Sequence, residues 1–215
     1  MAKRKPNGEY VGLVGNVVLY EANGQGIMRG RSKPRKDTSN LLAEERSSFG
    51  KITHFLSKIK TILNTGFQDY APGKSSWNSA LSVNYSAYRE AVRLNTADSF
   101  AWLSIAHGNL SSAEMVDVSL DNNNKVVITW SGTEPGKVYH NNDIVMVLIL
   151  KNGLKSLIHV NESNIRQDGT ITLNPGALVA NDKIDVFIAF CTSSYKKKSD
   201  KNVSNSQWIK QLTVV

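Results

Sequence analysis

The sequence predicts an α+β protein in three parts: an N-terminal β-ribbon arm, a helical hairpin, and an immunoglobulin- or fibronectin-like β-sandwich. Three observations lead to this prediction. Glycines and β-prone residues dominate the start of the chain, two amphipathic helical patterns follow, and short strand patterns with turn signals fill the remainder. The boundaries we expect are 1–36 for the arm, 37–110 for the hairpin and 111–215 for the sandwich.

The arm contains a predicted β-hairpin. Residues 17–20 and 27–29 are β-prone runs on either side of Asn23-Gly24, a dipeptide typical of tight hairpin turns. Because a two-stranded ribbon is only marginally stable alone, the arm should pack on the rest of the chain or on a neighbouring copy. Its glycines match neither a phosphate loop nor a dinucleotide-binding fingerprint, so we expect no nucleotide site there.

The arm also carries most of the positive charge. The net charge is +8, of which residues 1–36, with eight basic and two acidic side chains, hold +6. Such a segment attracts nucleic acid or acidic protein surfaces. An extended chain would place alternate basic residues on one side, where they could follow a phosphate backbone or simply keep a strand edge soluble. The candidate partner-binding residues of the arm are Arg29, Arg31, Lys33, Arg35 and Lys36.

The first helix is predicted to begin near Thr38 or Ser39, with Asp37 as its N-cap, and to end at Gly66. Its apolar residues recur at three- and four-residue spacing, which indicates one buried face. That face comprises Phe49, Ile52, Phe55, Leu56, Ile59 and Leu63.

A second helix should follow the turn at Pro72-Gly73, with Ser75 or Ser76 as its cap. Small residues in it allow close approach to the first helix, so we expect a hairpin whose apolar faces meet. The predicted stripe comprises Trp77, Ala80, Leu81, Asn84, Tyr88, Ala91 and Val92. Residues 100–105 are predicted to form a strand.

Seven short strands are predicted after residue 110, about the number found in a sandwich of roughly 100 residues. Trp130 would be a core aromatic on the second of them, and Asn152-Gly153 would close a tight hairpin between the third and fourth. The predicted strands are 115–120, 125–131, 144–151, 154–160, 170–173, 183–191 and 207–214.

The connection between the last two strands is a second basic segment. Residues 192–206 form an exposed loop in the predicted sandwich, a position where binding residues often lie. Lys196, Lys197 and Lys198 are candidates for contact with an acidic partner, and the alternative is a soluble hairpin tip.

No pattern of residues predicts catalysis, a metal site or a cofactor. The only cysteine, Cys191, lies in an apolar strand and is expected to be a buried structural thiol. None of the four histidines stands in a hydrolase or zinc-protease motif. The sequence has no run long enough for a transmembrane helix and no signal-peptide pattern. We therefore expect a cytoplasmic location at synthesis, with membership of a particle or an extracellular assembly left open.

Several motifs resemble those of an uncharacterised family of small bacterial proteins. They are Gly12-Leu13-Val14-Gly15-Asn16-Val17-Val18, Arg31-Ser32-Lys33-Pro34, Arg46-Ser47-Ser48-Phe49, Asn64-Thr65-Gly66-Phe67 and Asn78-Ser79-Ala80-Leu81-Ser82-Val83-Asn84. The chain departs from the family pattern at Tyr20-Glu21-Ala22, where Trp-Lys-Gly is usual, and it lacks the usual Gln early in the first helix. The resemblance implies the same architecture and no activity or site residues.

These observations favour a non-enzymatic structural protein that self-associates through its arm, as a subunit of a virion, tail-like, filamentous or shell assembly. Two alternatives stay open. The basic arm could bind nucleic acid, or the sandwich loops could make the protein an adhesin-like module that binds a surface or a glycan.

Overall fold

The computed structural model describes residues 3–4, 10–22, 25–33, 40–68, 70, 74–192 and 202–214. They divide into two compact units, Met1–Glu45 and Arg46–Val215. Their secondary structure is a mixture of helices and antiparallel strands, so the protein belongs to the α+β class. Among the described residues, none of the helices is both long enough and apolar enough to cross a membrane.

The first unit contains one antiparallel sheet in the order β1-β2-β3-β4. The predicted pairing of 17–20 with 27–29 is confirmed, but the ribbon is wider than predicted because two further strands join it. Asn23-Gly24 lies outside the described residues. Gly15, with φ of +56°, opens the two-residue turn between β2 and β3, where a primed hairpin turn needs positive φ. The strands are β1 Lys3–Arg4, β2 Tyr10–Val14, β3 Val17–Ala22 and β4 Gln25–Gly30.

The helical segment contains three helices where we predicted two. The first predicted helix is divided into α1 Asn40–Lys58 and α2 Lys60–Gly66 at Ile59, whose N–H bonds to the carbonyl oxygen of Leu56. The second predicted helix is α3 Ser76–Arg93, and Ser75 caps it by accepting a hydrogen bond from the backbone N–H of Asn78 (3.2 Å). The expected cap Asp37 lies outside the described residues.

The predicted strand at 100–105 is wrong. Residues Phe100–Trp102 form a short 3-10 helix, and Ser99 caps it with its hydroxyl oxygen. The indole N–H of Trp102 donates to the carbonyl oxygen of Ala97 (3.2 Å), and Asn84 holds Ser104 through two hydrogen bonds of 2.7 and 2.9 Å. These local side-chain contacts take the place of a strand ladder.

All seven strands predicted after residue 110 are present. They are β5 Met115–Leu120, β6 Val126–Ser131, β7 Ile144–Lys151, β8 Leu154–Ile165, β9 Thr170–Leu173, β10 Lys183–Cys191 and β11 Gln207–Thr213. β8 extends five residues beyond the predicted end at residue 160. The strands form two antiparallel sheets, β11-β10-β7-β8 and β5-β6-β9.

Two clusters of buried apolar side chains lie on opposite sides of β7 and β10. The first joins these strands to the helices, and the second joins them to the three-stranded sheet. Along β7, Met146 and Leu148 belong to the first cluster, whereas Val145 and Val147 belong to the second. The helices therefore cover the sheet as well as each other, a contact that the predicted hairpin lacked.

The buried face of the helices is close to the predicted one. Ile52, Leu56, Ile59 and Leu63 are buried in the first cluster, and Ala80, Asn84 and Ala91 are buried on α3. Two residues assigned to the stripes are exposed instead: Phe49 (43%) and Val92 (46%) lie at the margins of the packed faces. Both buried clusters belong to the second unit, which thus has a core of its own.

Candidate functional site

The most unusual surface in the described chain is the N-terminal sheet. Antiparallel partners such as Leu19 and Met28 share one face, and Tyr20 and Ile27 share the other. Both faces are thus apolar. Yet none of the described side chains between residues 10 and 33 is buried, and Met28 is 72% exposed. A sheet in a folded domain normally buries at least one face against another layer.

The apolar residues of this sheet form a shallow groove of about 290 Å³. Tyr10, Leu19, Ile27 and Met28 contribute to its wall, and Glu21 is its one charged residue. At one margin the guanidinium of Arg29 lies over the ring of Tyr20, 5.5 Å from its centroid. An exposed apolar surface with a basic margin is a surface suited to contact with another macromolecule.

The edge of the sheet at β4 is a second potential contact. Among the described residues, β4 pairs with β3 alone, so its other edge has unpaired backbone groups. Such an edge can accept an additional strand. Beyond β4, the backbone N–H of Arg31 donates to the carbonyl oxygen of Asn16 (2.6 Å), which anchors the start of the basic stretch to the β2–β3 turn.

The predicted basic residues are described in part. Arg29, Arg31 and Lys33 are exposed, and within the described chain none of the three forms a salt bridge. These three exposed charges therefore lie at the end of β4 and in the residues that directly follow it. Arg35, Lys36, Lys196, Lys197 and Lys198 lie outside the described residues.

A polar pocket in the second unit was not predicted from the sequence. It has a volume of about 370 Å³, and its lining includes Asp98, Phe100, Asn152, Lys183 and Asp185. The side chain of Asp185 is buried, and it is followed in β10 by an apolar run from Val186 to Cys191. A charged residue within an apolar strand was the one signal in the sequence that could have indicated this site.

A buried ion pair joins Asp143 to Arg166 at one end of the second unit. The guanidinium Nε lies 3.2 Å from Asp143 Oδ2, and Nη2 donates to the carbonyl oxygen of Ser111. Burial lowers the pKa of Arg166, although Asp143 acts in the opposite direction. His140 Nδ1 is 3.3 Å from Asp143 Oδ1. The carboxylate of Asp143 thus links the start of β7 to the end of β8.

The pair also supports the core aromatic. The guanidinium of Arg166 lies 3.8 Å from the ring centroid of Phe190, and the indole of Trp130 donates to the Arg166 carbonyl oxygen (2.8 Å). Trp130 is buried, as predicted from its position on the second strand after residue 110. We regard this cluster as structural.

The Cys191 thiol lies buried in the first cluster of apolar side chains. Burial raises the pKa of the Cys191 thiol to about 12, so it stays protonated and unreactive near neutral pH. Within the part of the chain that the structure describes, no group of three His, Cys, Asp or Glu side chains is arranged to hold a metal ion.

Comparison with known proteins places the chain in a family of unknown function. The model of DUF6266, a family of unknown function, matches residues 9–210, and the chain belongs to this family. No curated protein and no solved structure matches the chain.

Proposed function

We propose that this protein is a non-enzymatic structural subunit that self-associates through its N-terminal sheet into a larger assembly of the virion, tail-like, filament or shell type. The observation that carries the proposal is the two-sided apolar sheet, in which no described side chain between residues 10 and 33 is buried. Burial of such side chains against a partner would stabilise the sheet by roughly 25 cal/mol per Å² of apolar area.

A second copy of the chain is the partner we infer. The arm carries a net charge of +6, which favours a partner with exposed or accessible carboxylates. The second unit of the same chain has the exposed carboxylate of Asp98 in the lining of a pocket, beside the buried carboxylate of Asp185. Contact between the arm of one copy and the second unit of the next is a heterologous interface, which generates rings or filaments.

The fold that we propose for the second unit is consistent with a subunit that associates through a separate arm. We infer that its strands form an immunoglobulin- or fibronectin-like sandwich. The sheet orders β5-β6-β9 and β11-β10-β7-β8 correspond to those expected for sandwich strands A, B and E and strands G, F, C and C′. The buried cluster shared by both sheets, with Trp130 in it, supports this assignment.

The first test is the effect of one charge on the apolar face. Met28→Glu should lower the native mass of the full-length protein, measured by light scattering, because a carboxylate would be buried at the interface. Met115→Glu is the matched control: Met115 also lies on a strand and is 65% exposed, against 72% for Met28. Equal native masses for the wild type and the Met28 variant would refute a role of this face.

The second test removes the arm. Deletion of residues 1–36 should give a folded monomer, because both buried clusters lie in the second unit. Native mass and circular dichroism would be measured on the same sample, at low and high salt. A truncated protein that still assembles would overturn the proposal.

Nucleic-acid binding is a second candidate function, favoured by the exposed positions of Arg29, Arg31 and Lys33, none of which forms a salt bridge within the described chain. It predicts binding that weakens steeply as salt is raised, because each phosphate contact releases counterions. Reversal of charge at Arg31 and Lys33 should abolish that binding. Assembly in the absence of nucleic acid, together with no salt-dependent retention of DNA or RNA, would decide against this candidate.

A further inference from the structure

We propose that the pocket around Asp185 is a receptor site for a basic side chain, and that its occupant is Arg31 from the arm of a neighbouring copy. This inference rests on the proposed self-association and assigns the two side chains that meet in it. It concerns a cavity within the second unit, built from β10, β11, the β7–β8 turn and the 3-10 helix that begins at Phe100.

The carboxylate of Asp185 lacks a charged partner. It is 1% exposed, and its two oxygens accept hydrogen bonds from the indole N–H of Trp208 and the amide of Gln211, both at 3.0 Å. Both donors are uncharged. Within the described chain no Lys, Arg or His forms a salt bridge with it.

A buried carboxylate in this state is unusual in proteins. Buried charges are normally paired, because the loss of hydration is offset only by an opposite charge and by further hydrogen bonds. An ionised carboxylate can accept about four hydrogen bonds, and Asp185 receives two from side chains. The remaining hydrogen-bonding capacity of its two oxygens is what a cationic donor would satisfy.

The surroundings of Asp185 suit a guanidinium. Asp98 adds a second carboxylate to the pocket lining, and Phe100 adds an aromatic ring on which a planar cation can stack. Arginine is better suited than lysine to such a site, because its donors form a planar fork and it is more weakly hydrated. Lys183 also lines the pocket, but its ammonium forms no ion pair with Asp185.

Arg29 and Arg31 are the arginines of the arm whose side chains the structure describes. Arg29 is already engaged with the ring of Tyr20. The side chain of Arg31 is exposed and has no partner within the described chain. Arg31 directly follows Gly30, the last residue of β4. We therefore assign Arg31.

The proposal is tested with Asp185→Asn and Arg31→Gln in the full-length protein. Each should weaken self-association at least about tenfold, because each leaves the other charge unpaired at the interface. The double variant should lose little more than either single one. Asp117→Asn is the control: Asp117 is exposed on β5 and is paired with Lys210, so association should be unchanged.

A spectroscopic measurement separates binding from a structural role. The indole N–H of Trp208 donates to Asp185, so its NMR resonance reports on the carboxylate directly. A synthetic peptide of residues 25–36 added to the chain of residues 37–215 should shift this resonance. The same peptide with Gln in place of Arg31 should leave it unchanged. Arg31 is exposed, so its replacement cannot act by unfolding the protein.

The outcomes distinguish this site from the proposed function. A wild type that assembles, with both variants assembling equally well, would refute the site and leave self-association standing. A wild type that stays monomeric would refute the proposed function. In that case a peptide that leaves the Trp208 resonance unmoved would overturn the site as well.

Discussion

Leu56→Ala tests whether the helices and the sheet of the second unit form one cooperative structure. Leu56 lies on α1, is fully buried, and belongs to the cluster that also contains Leu148 of β7 and Phe187 of β10. Replacing a buried leucine by alanine removes its transfer free energy and leaves a cavity. Together these effects cost about 2–5 kcal/mol in the free energy of unfolding.

The magnitude converts into a measurable change in melting temperature. For a unit of this size, each kcal/mol lowers Tm by roughly 2–4 °C, so a central value of about 3 kcal/mol gives a decrease of roughly 6–12 °C. The variant should be made in the chain of residues 37–215, because association of the full-length protein would make Tm depend on concentration. Far-UV circular dichroism and tryptophan fluorescence would follow urea and thermal unfolding.

Leu94→Ala is the matched control. Leu94 caps the C-terminus of α3 and is 56% exposed, so the same chemical change should alter stability by less than about 0.5 kcal/mol. Both probes should report a single transition in all three proteins. Two separate transitions, with Leu56→Ala shifting only the helical one, would show that the helices do not share a cooperative core with the sheet.

Three further predictions follow from side-chain environments. Gly66→Ala should destabilise strongly in urea unfolding, because its Cβ would lie 2.0 Å from a backbone oxygen, whereas Gly50→Ala, with nothing within 4 Å, should stabilise α1 by about 0.5–1 kcal/mol. Asp143→Asn or Arg166→Met should each cost about 3–5 kcal/mol, and the double variant should cost less than their sum in a double-mutant cycle. Because folding raises the pKa of the Cys191 thiol, the unfolded chain loses the thiol proton at a lower pH than the folded protein does. Its contribution to stability is therefore present below pH 9.0 and lost as pH rises towards about 12, and Cys191→Ala should remove that slope in pH-dependent unfolding.

The strands after residue 110 could be predicted because local pattern and tertiary role agree there. Turn residues separate the apolar runs, and Asn152 and Gly153 both adopt the positive φ that their hairpin requires. The helices were predicted for the same reason. Their apolar spacing identified the buried face, although it gave no sign of the break at Ile59, where neither a glycine nor a proline interrupts the pattern.

The packing of the helices on the sheet was missed although the sequence contains a signal for it. A strand in a two-layer sandwich should alternate between apolar and polar residues, because one of its faces meets water. From Ile144 to Leu150 every residue is apolar, and every one of them is buried. A strand of this kind must be covered on both faces, so the run itself indicates a third layer.

The candidate sites were harder to predict from the sequence than the strands and helices, because they depend on contacts between distant residues. The basic stretch is visible in the sequence, but the exposure of the Arg31 side chain, which has no partner among the described residues, is not. Asp185 could be noticed as a charge within an apolar strand. Its burial and its two uncharged donors arise only because Trp208 and Gln211 lie on the adjacent strand.

The same types of apolar residue differ in burial between the two units, and this difference is the basis of the proposed self-association. Valine and leucine occur in both β3 and β7, yet those of β7 are buried and those of β3 are only half-buried. Strand propensity cannot account for the difference, because it is similar for both. What differs is the layer that covers each strand: β7 has one on either side, supplied by its own chain. We propose that a neighbouring copy covers β2–β4, in which case burial of these side chains should increase with the concentration of the protein.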